Sequence, residues 1–557
     1  MVFRRVVGGV LGGSSLAVLA LFLTIPRSVI EEEIPPGLLL WMPEVQEAST
    51  RVAPEAIAIA VPEAVAAEIP KNTLATSEGE RVASLVAIGS QFEEPEAEIF
   101  EEVGQVEELE VPRASPHELD PNLYVGALSK QTVIRVRPDP EATILGFART
   151  GALLRRARSP ASKKNCKGGW YRVEPDGYIC VGNAATLDPE HPVLRLASMP
   201  PDRTLGLPYS YGTSRYPTPP LYTRIPTEEQ QGRAEQDLRS HLKKNFGSVW
   251  GAEADDPSPQ ALAEGEQIPR PFGYPQPDHE FMTGRALGSS SFAFLDLFES
   301  GDRKWGLTTD LSLVPLDRVT PVKASEFSGV RLQDADDLPL VFVRSHAQHL
   351  YEGSAEDSSL RPIRPIAFRE AFHLSGKSAK LHGTRFLETR EGAYLKEHSS
   401  LVKIEARESL PKWAKDNRSW IEVSILNQTL VAYRGSRPVF ATLVSTGRDG
   451  LGDPETTYST VQGVFLIHTK HVTSTMSGDE ADDEFDLRDV PYVQYFHAGY
   501  AFHAAFWHDG FGQPRSHGCV NLSPNDARHL FSLTEPPVPL SWHSALDTHG
   551  TLAYIHP

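Results

Sequence analysis

Arg4 and Arg5 stand before twenty uncharged, mostly apolar residues, Val6 to Ile25. At about 1.5 Å per helical residue such a run can cross a hydrocarbon core of about 30 Å. Basic residues stay on the cytoplasmic side, so the chain from Glu31 onward is expected to be exported. A cleaved signal peptide is the rival reading of the same residues, but no small-residue cleavage site follows Leu23. An uncleaved anchor over residues 1–30 is the expectation. Either way the body of the chain lies in the periplasm or cell envelope, where thiols oxidise, and this limits what its three cysteines can be.

A chain of 557 residues exceeds one ordinary domain and suggests about two to four. Its net charge of −19 is concentrated: residues 31–120 hold 21 acidic against 4 basic side chains, a net of −17. That segment is rich in Glu, Ala, Pro and Val and poor in aromatics. It repels itself and buries too little to fold alone, so it is read as an extended tether. The remainder is near neutral and shows no basic surface, which argues against nucleic acid as a partner.

From Asn122 the pattern turns to short β-type runs broken by Pro and Gly. TVIRVRPDP and the closing hairpin WYRVEPDGYICV resemble a bacterial SH3-like β-barrel spanning 122–187. The hairpin pattern returns in WGLTTDLSLVPL (305–316) and FLETREGAYLKE (386–397), which implies further SH3-like units near 275–325 and 337–405. Any antiparallel hairpin reads in a similar way, so the repeat stays open. Residues 190–270 are Pro- and Tyr-rich and are expected to be a linker, with one helix in EEQQGRAEQDLRSHLKKNF.

From Trp420 the alternation sharpens. WIEVSILNQTLVAYRGSRPVFATLVSTG reads as a β-meander with turns at Asn427-Gln428 and Arg434-Gly435-Ser436. Near the C-terminus, Ser523 is a good N-cap, Pro524 suits the first helical position and Asp526 can reach back three residues. Cys519 therefore lies on a strand-to-helix connection. The whole chain is expected to be mainly β and multi-domain, with few helices.

Cys166 and Cys180, 14 apart, flank the first hairpin and can pair in an oxidising compartment. That leaves Cys519 single. An inert buried cysteine is one reading of it. A zinc site is another, but one Cys with His517 and a distant His503 falls short of four ligands, so no metal and no cofactor are expected. A reactive thiol is the third. A free thiol has a pKa of about 8.5 and needs a neighbouring base to ionise.

The stretch FHAAFWHDGFGQPRSHGCVNLSP decides among these. It resembles the catalytic signature of the L,D-transpeptidases (YkuD type), cysteine enzymes of peptidoglycan cross-linking. His503 leads, twelve residues intervene, and Ser516-His517-Gly518-Cys519-Val520-Asn521 follows. The meander, the segment QGVFLIHTKH and the stretches STMSGD and VPYVQYF also match, so the resemblance covers about 413–545, with 546–557 left as a C-terminal tail. Many relatives have Gly or Ser where this chain has Ala504.

The resemblance implies that Cys519 is the nucleophile and His503 the general base, its imidazole oriented by the Ala504 carbonyl. It implies backbone N–H groups of His517, Gly518 and Cys519 as an oxyanion hole, and His517 as a residue that shapes the loop and its field. Ser516 and Asn521 would tie the loop. His468, His471, His497 and His508 could line a groove. The implied partners are peptidoglycan stem peptides, and the implied reaction is 3→3 cross-linking through a cysteine acyl-enzyme. An L,D-carboxypeptidase or endopeptidase, and an inactive wall-binding structural protein, remain alternatives. The oligomeric state is not readable. Non-reducing peptide mapping is expected to recover Cys166 linked to Cys180 with Cys519 free, and a Cys519 disulfide in freshly exported protein would count against a standing nucleophile.

Overall fold

Residues rich in β-branched and aromatic side chains pair into antiparallel hairpins along most of the chain. The computed structural model describes residues 119–557, apart from 245–249, 251–261, 263–265, 275–280, 355, 356, 358, 408 and 479–484. The expected anchor at 6–25, and the acidic tether up to residue 118, lie outside the described residues. Among the described residues no helix is long and apolar enough to cross a membrane. The fold is mainly β, with four short α-helices among the described residues.

The first unit packs the strands Leu119–Ala127, Leu153–Ala157 and Ala185–Thr186 over the strands Thr132–Arg135, Ile144–Ala148, Trp170–Arg172 and Tyr178–Cys180. Its core is Val125, Ile134, Leu154, Val173 and Ile179, closed from outside by Trp542. Cys166 and Cys180 form a disulfide, with Cα atoms 5.8 Å apart, that ties the loop before the hairpin to its second strand. Gly177 turns that hairpin at φ +94°, where a Cβ would come within 2.7 Å of Ile134.

The expectation of a linker at 190–270 is wrong. Ser210–Ser214 is a strand between Ser291–Ser300 and Val319–Pro321, and Pro220–Tyr222 pairs with Met282–Arg285 and Leu313–Pro315. The tyrosines that looked like linker composition are core: Tyr209, Tyr211 and Tyr222 are all buried. The single expected helix is two, Glu228–Ala234 and Leu238–Lys244, after a short helix at Pro192–Leu196. A buried charge breaks it. Glu235 sits at the junction and accepts hydrogen bonds from Arg303 (2.8 Å), Arg318 and the Tyr222 hydroxyl (2.7 Å). Turning its carboxylate inward takes the backbone out of helical geometry, and pairing offsets the desolvation. Helix propensity is a weak prior against such burial.

A third unit spans the strands from Leu340–Val343 to Leu401–Ile404 in one seven-stranded sheet around Val341, Leu350, Leu374 and Leu395. The hairpins noted at 305–316 and 386–397 are both present as antiparallel pairs.

In the C-terminal unit the meander forms as Ser419–Ser424, Thr429–Arg434 and Arg437–Leu443. The stretch expected to be a tail is a strand: Leu552–His556 runs parallel to Ser419–Ser424 and pairs on its other edge with Gly463–Leu466. Leu552, Ala553 and Ile555 are buried there, because the meander would otherwise leave an open apolar edge. A long hairpin follows, Thr469–Gly478 with Phe485–His497, then Tyr500–Ala504, Val520–Leu522 and the helix Pro524–Leu533. Ser523 caps that helix, accepting from the Asp526 N–H at 3.2 Å. The Asp526 carboxylate also holds Thr442 (2.5 Å) and the Gly329 N–H (2.9 Å).

The long hairpin joins the units. It pairs at Leu487 with Ser291 of the second unit, the sheet built from Ser210–Ser214, Pro220–Tyr222, Met282–Arg285, Ser291–Ser300, Arg303–Thr308, Leu313–Pro315 and Val319–Pro321, and Ser544–Leu546 links it to Ile144–Ala148 of the first. At this junction Asp489 is buried at φ 55° and its carboxylate accepts from Arg149 of the first unit, Thr309 of the second and Thr473 of the hairpin. The Tyr211 hydroxyl donates to the Asp489 carbonyl at 2.7 Å. Removing one member of such a pair leaves the other charge buried alone. Asp489→Asn is therefore expected to cost about 3–5 kcal/mol in urea unfolding. An Arg149→Met/Asp489→Leu double variant is expected to recover part of that, and an equal loss in both would show that charge pairing does not tie the junction.

Candidate active site

Backbone register brings the signature residues together. Tyr500–Ala504 and Val520–Leu522 pair in parallel, with Phe502 opposite Val520 and His503 opposite Asn521. Cys519 immediately precedes the second strand, so it falls opposite Ala501. Side chains alternate along strands, which puts Cys519, Asn521 and His503 on one face. His503 is buried, and its Nδ1 donates to the Ala504 carbonyl at 3.1 Å. That bond fixes the tautomer and leaves Nε2 as the acceptor. Cys519 is half-buried, 3.7 Å from the Gly499 carbonyl through Sγ, and packs against Val490, Val493 and Ala501 with Met476, Leu487 and Tyr495 beside them.

The loop before Cys519 is held by its own backbone. Gly518 adopts φ +125°, and a Cβ there would come within 2.6 Å of the Tyr500 ring, so the position needs glycine. The Gly518 carbonyl accepts from Thr460 Oγ1 at 2.7 Å, and the same hydroxyl accepts the Gly447 N–H at 2.8 Å. Ser516 Oγ donates to the Cys519 carbonyl and accepts the Gly518 N–H at 3.0 Å. This corrects one expectation: the Gly518 N–H faces Ser516 and is not an open oxyanion donor in this geometry. A tight turn aims successive N–H groups in different directions, so all three need not converge. The His517 ring stacks on Phe485 (5.4 Å between centroids) and meets Tyr458 edge-on at 4.8 Å.

Asn521 is buried, exchanges both backbone bonds with Ser445 and places its side-chain amide 3.1 Å from His508 Nε2. His508 Nδ1 accepts the Gly510 N–H at 3.1 Å. His508 thus holds Asn521, which stands opposite His503 in the register. Of the other histidines, His468 bonds Thr469, while His471 is buried against Tyr495 and His497 contacts Phe465 and Tyr500, the tyrosines that border Cys519 and Gly518. Two residues escaped the sequence reading. Trp507 stacks on His503 at 5.7 Å, and its place four residues after His503 in FHAAFWH was the available signal. Thr460, remote in sequence, had none. Among the described residues no group of three or more His, Cys, Asp or Glu is placed to hold a metal.

Burial sets the electrostatics. It pushes the Cys519 thiol up to about 11, against a smaller opposing pull from the Ala501 backbone, and pushes His503 down to about 4, against the Ala504 carbonyl. Both shifts favour the uncharged form of each group near neutral pH. Iodoacetamide alkylation of Cys519 is therefore expected to accelerate steadily with pH through the neutral range, read by intact mass. A flat rate between about pH 5 and 8 would instead show a resting imidazolium–thiolate pair.

The family model of the YkuD L,D-transpeptidase catalytic domain matches residues 418–548. No curated protein matches the chain. Similar solved structures include a cysteine-to-serine mutant of the Enterococcus faecium L,D-transpeptidase, 21% identical over 25% of this chain and 50% of that one, TM-score 0.20. An L,D-transpeptidase from Stackebrandtia nassauensis is 24% identical over 27% and 58%, TM-score 0.19. One from Mycobacterium smegmatis is 17% identical over 43% and 100%, TM-score 0.20. The chain thus spans about half the length of the first of these. Residues 418–548, which hold Cys519, His503 and the loop between them, carry a YkuD-type L,D-transpeptidase catalytic domain.

Proposed function

We propose that this protein is a peptidoglycan L,D-transpeptidase that forms 3→3 cross-links from tetrapeptide stems. The observation that carries the reading is the parallel register setting His503 and Cys519 on one face, with His503 Nδ1 held by the Ala504 carbonyl. Cys519 Sγ attacks the carbonyl of the diaminopimelate L-centre as His503 Nε2 takes its proton. The tetrahedral intermediate collapses, His503 returns the proton to the departing D-Ala amine, and a thioester remains on Cys519. The N–H groups of His517 and Cys519 are the oxyanion donors in this scheme. The side-chain amine of a second stem then displaces sulfur. Residues 6–25 would anchor the chain in the inner membrane, 31–120 would span toward the wall, and the SH3-like units would hold wall material.

Intact mass of the protein after incubation with a carbapenem, and separately with a disaccharide tetrapeptide, tests this. A covalent adduct, D-Ala release and a 3→3 dimer are expected, all absent in Cys519→Ala. His503→Ala is expected to slow acylation about 10²–10⁴-fold. A folded wild-type protein that gives neither adduct nor turnover would favour a wall-binding structural protein instead.

A further inference from the structure

The acyl-enzyme proposed above must be opened by an amine, and that amine must pass its proton to a base. His503 Nε2 serves both half-reactions, so the leaving amine and the incoming amine occupy the same side of the carbonyl, the side facing His503. The fold gives that side a direction. Along Tyr500–Ala504, Ala501 lies opposite Cys519 and His503 lies two residues further, about 7 Å along the strand. Residues 506–509 come next, and there a cavity of about 650 Å³ opens, lined by Trp507 and His508 and not by His503 or Cys519 themselves. Cys519 itself packs, with Met476, Leu487 and Tyr495, against Val490, Val493 and Ala501.

The cavity is built by three separate parts of the chain: 506–509 after His503, 323–327 before the third unit, and Phe368–Arg369 within that unit. Trp507, 37% exposed, forms its wall with one face and stacks on His503. Arg369 locks the parts together. It is buried, adopts φ 65°, pairs with the Asp509 carboxylate at 2.7 Å and donates to the Asp509 carbonyl at 3.2 Å. Its guanidinium lies over Phe327 at 4.7 Å and over Phe368 at 5.0 Å. Ser325 donates to the other Asp509 oxygen, and Arg344 of the third unit donates to the Gly512 carbonyl. The third unit is therefore fastened onto the loop that joins His503 to Ser516. The volume falls within the range of small-ligand sites. Its rim offers both signs of charge, Lys323 and Glu326, over aromatic faces.

We infer that this cavity is the acceptor subsite, taking the amine-bearing, carboxylate-bearing stem peptide of a second wall strand, and that the third unit thereby sets the choice between amine and water as acceptor. The inference rests on the transpeptidase reading above. Lys323 faces a stem carboxylate, Glu326 attracts the ammonium group as the stem approaches, and the aromatic faces cover the aliphatic part of the side chain. The neutral amine nitrogen bonds to the thioester carbon, the carbon–sulfur bond breaks, and the amine proton passes through His503 to the Cys519 sulfur. An amide and a free thiol result.

The test is the product ratio of the full chain with disaccharide tetrapeptide as both donor and acceptor. Dimer reports aminolysis and tripeptide reports hydrolysis. In Lys323→Glu and, separately, Phe368→Ala, the dimer-to-tripeptide ratio is expected to fall about 10-fold with a raised KM for acceptor. An unchanged ratio in both would overturn the inference, as would a fall matched by an equal fall in carbapenem acylation. A wild-type protein that acylates and yields tripeptide alone would overturn the acceptor subsite while leaving acyl-enzyme chemistry standing. Absence of any adduct in wild type would remove the transpeptidase reading itself, and the subsite with it.

Discussion

A carboxylate buried without a partner costs several kcal/mol, so a buried aspartate dictates what must surround it. Asp489 is such a group, 3% exposed, and its partners come from three places in the chain. Arg149 reaches it from the first unit, Thr309 from the second and Thr473 from the neighbouring strand. Arg149 and its companions hold the carboxyl well below the usual carboxylate range, so the ion pair is present at any ordinary pH. The hairpin that carries Asp489 also carries Leu487 and Tyr495 against Cys519 and Phe485 against His517. The geometry of the thiol pocket is thus tied to the docking of units whose own hairpins are far away in sequence.

Desolvation favours the neutral forms of the thiol and the imidazole. Desolvation raises a thiol and lowers an imidazole, and here each moves away from the pKa that would favour an ion pair. In the proposed reaction the proton then moves as the bond to carbon forms, which makes the position of His503 more important than its basicity. The Ala504 carbonyl, the Trp507 face and the shared register with Asn521 set that position. Replacing glycine or serine with alanine at 504 is harmless on this account, since only the carbonyl is used.

The accessory units are more than spacers in physical terms. The third unit inserts Arg369 and Arg344 into the loop between His503 and Ser516, and strand Val330–Arg331 before it extends the meander sheet. Contacts of this kind couple the shape of the catalytic loop to the packing of a neighbouring sheet, because a guanidinium clamped by an aspartate and stacked over aromatic rings has few alternative positions.

The sequence by itself determined the local features. Period-two alternation gave the meander and Ser523-Pro524 the start of the last helix, since each depends only on near neighbours. The six-residue signature with His503 upstream located the candidate site for the same reason: the motif is local and its spacing is short. What the sequence could not carry was any partnership across a long separation. Tyr211 and Tyr222 read as linker because nothing local says that a core lies around them. The helix through Glu235 read as continuous because its two arginine partners lie about seventy and eighty residues downstream. Leu552–His556 read as a tail because its partner strand begins at Ser419. Tertiary structure alone decided these, and it decided where Trp507, Thr460 and Arg369 stand around the site, because burial and charge pairing act on distance in space and leave no periodicity in the chain.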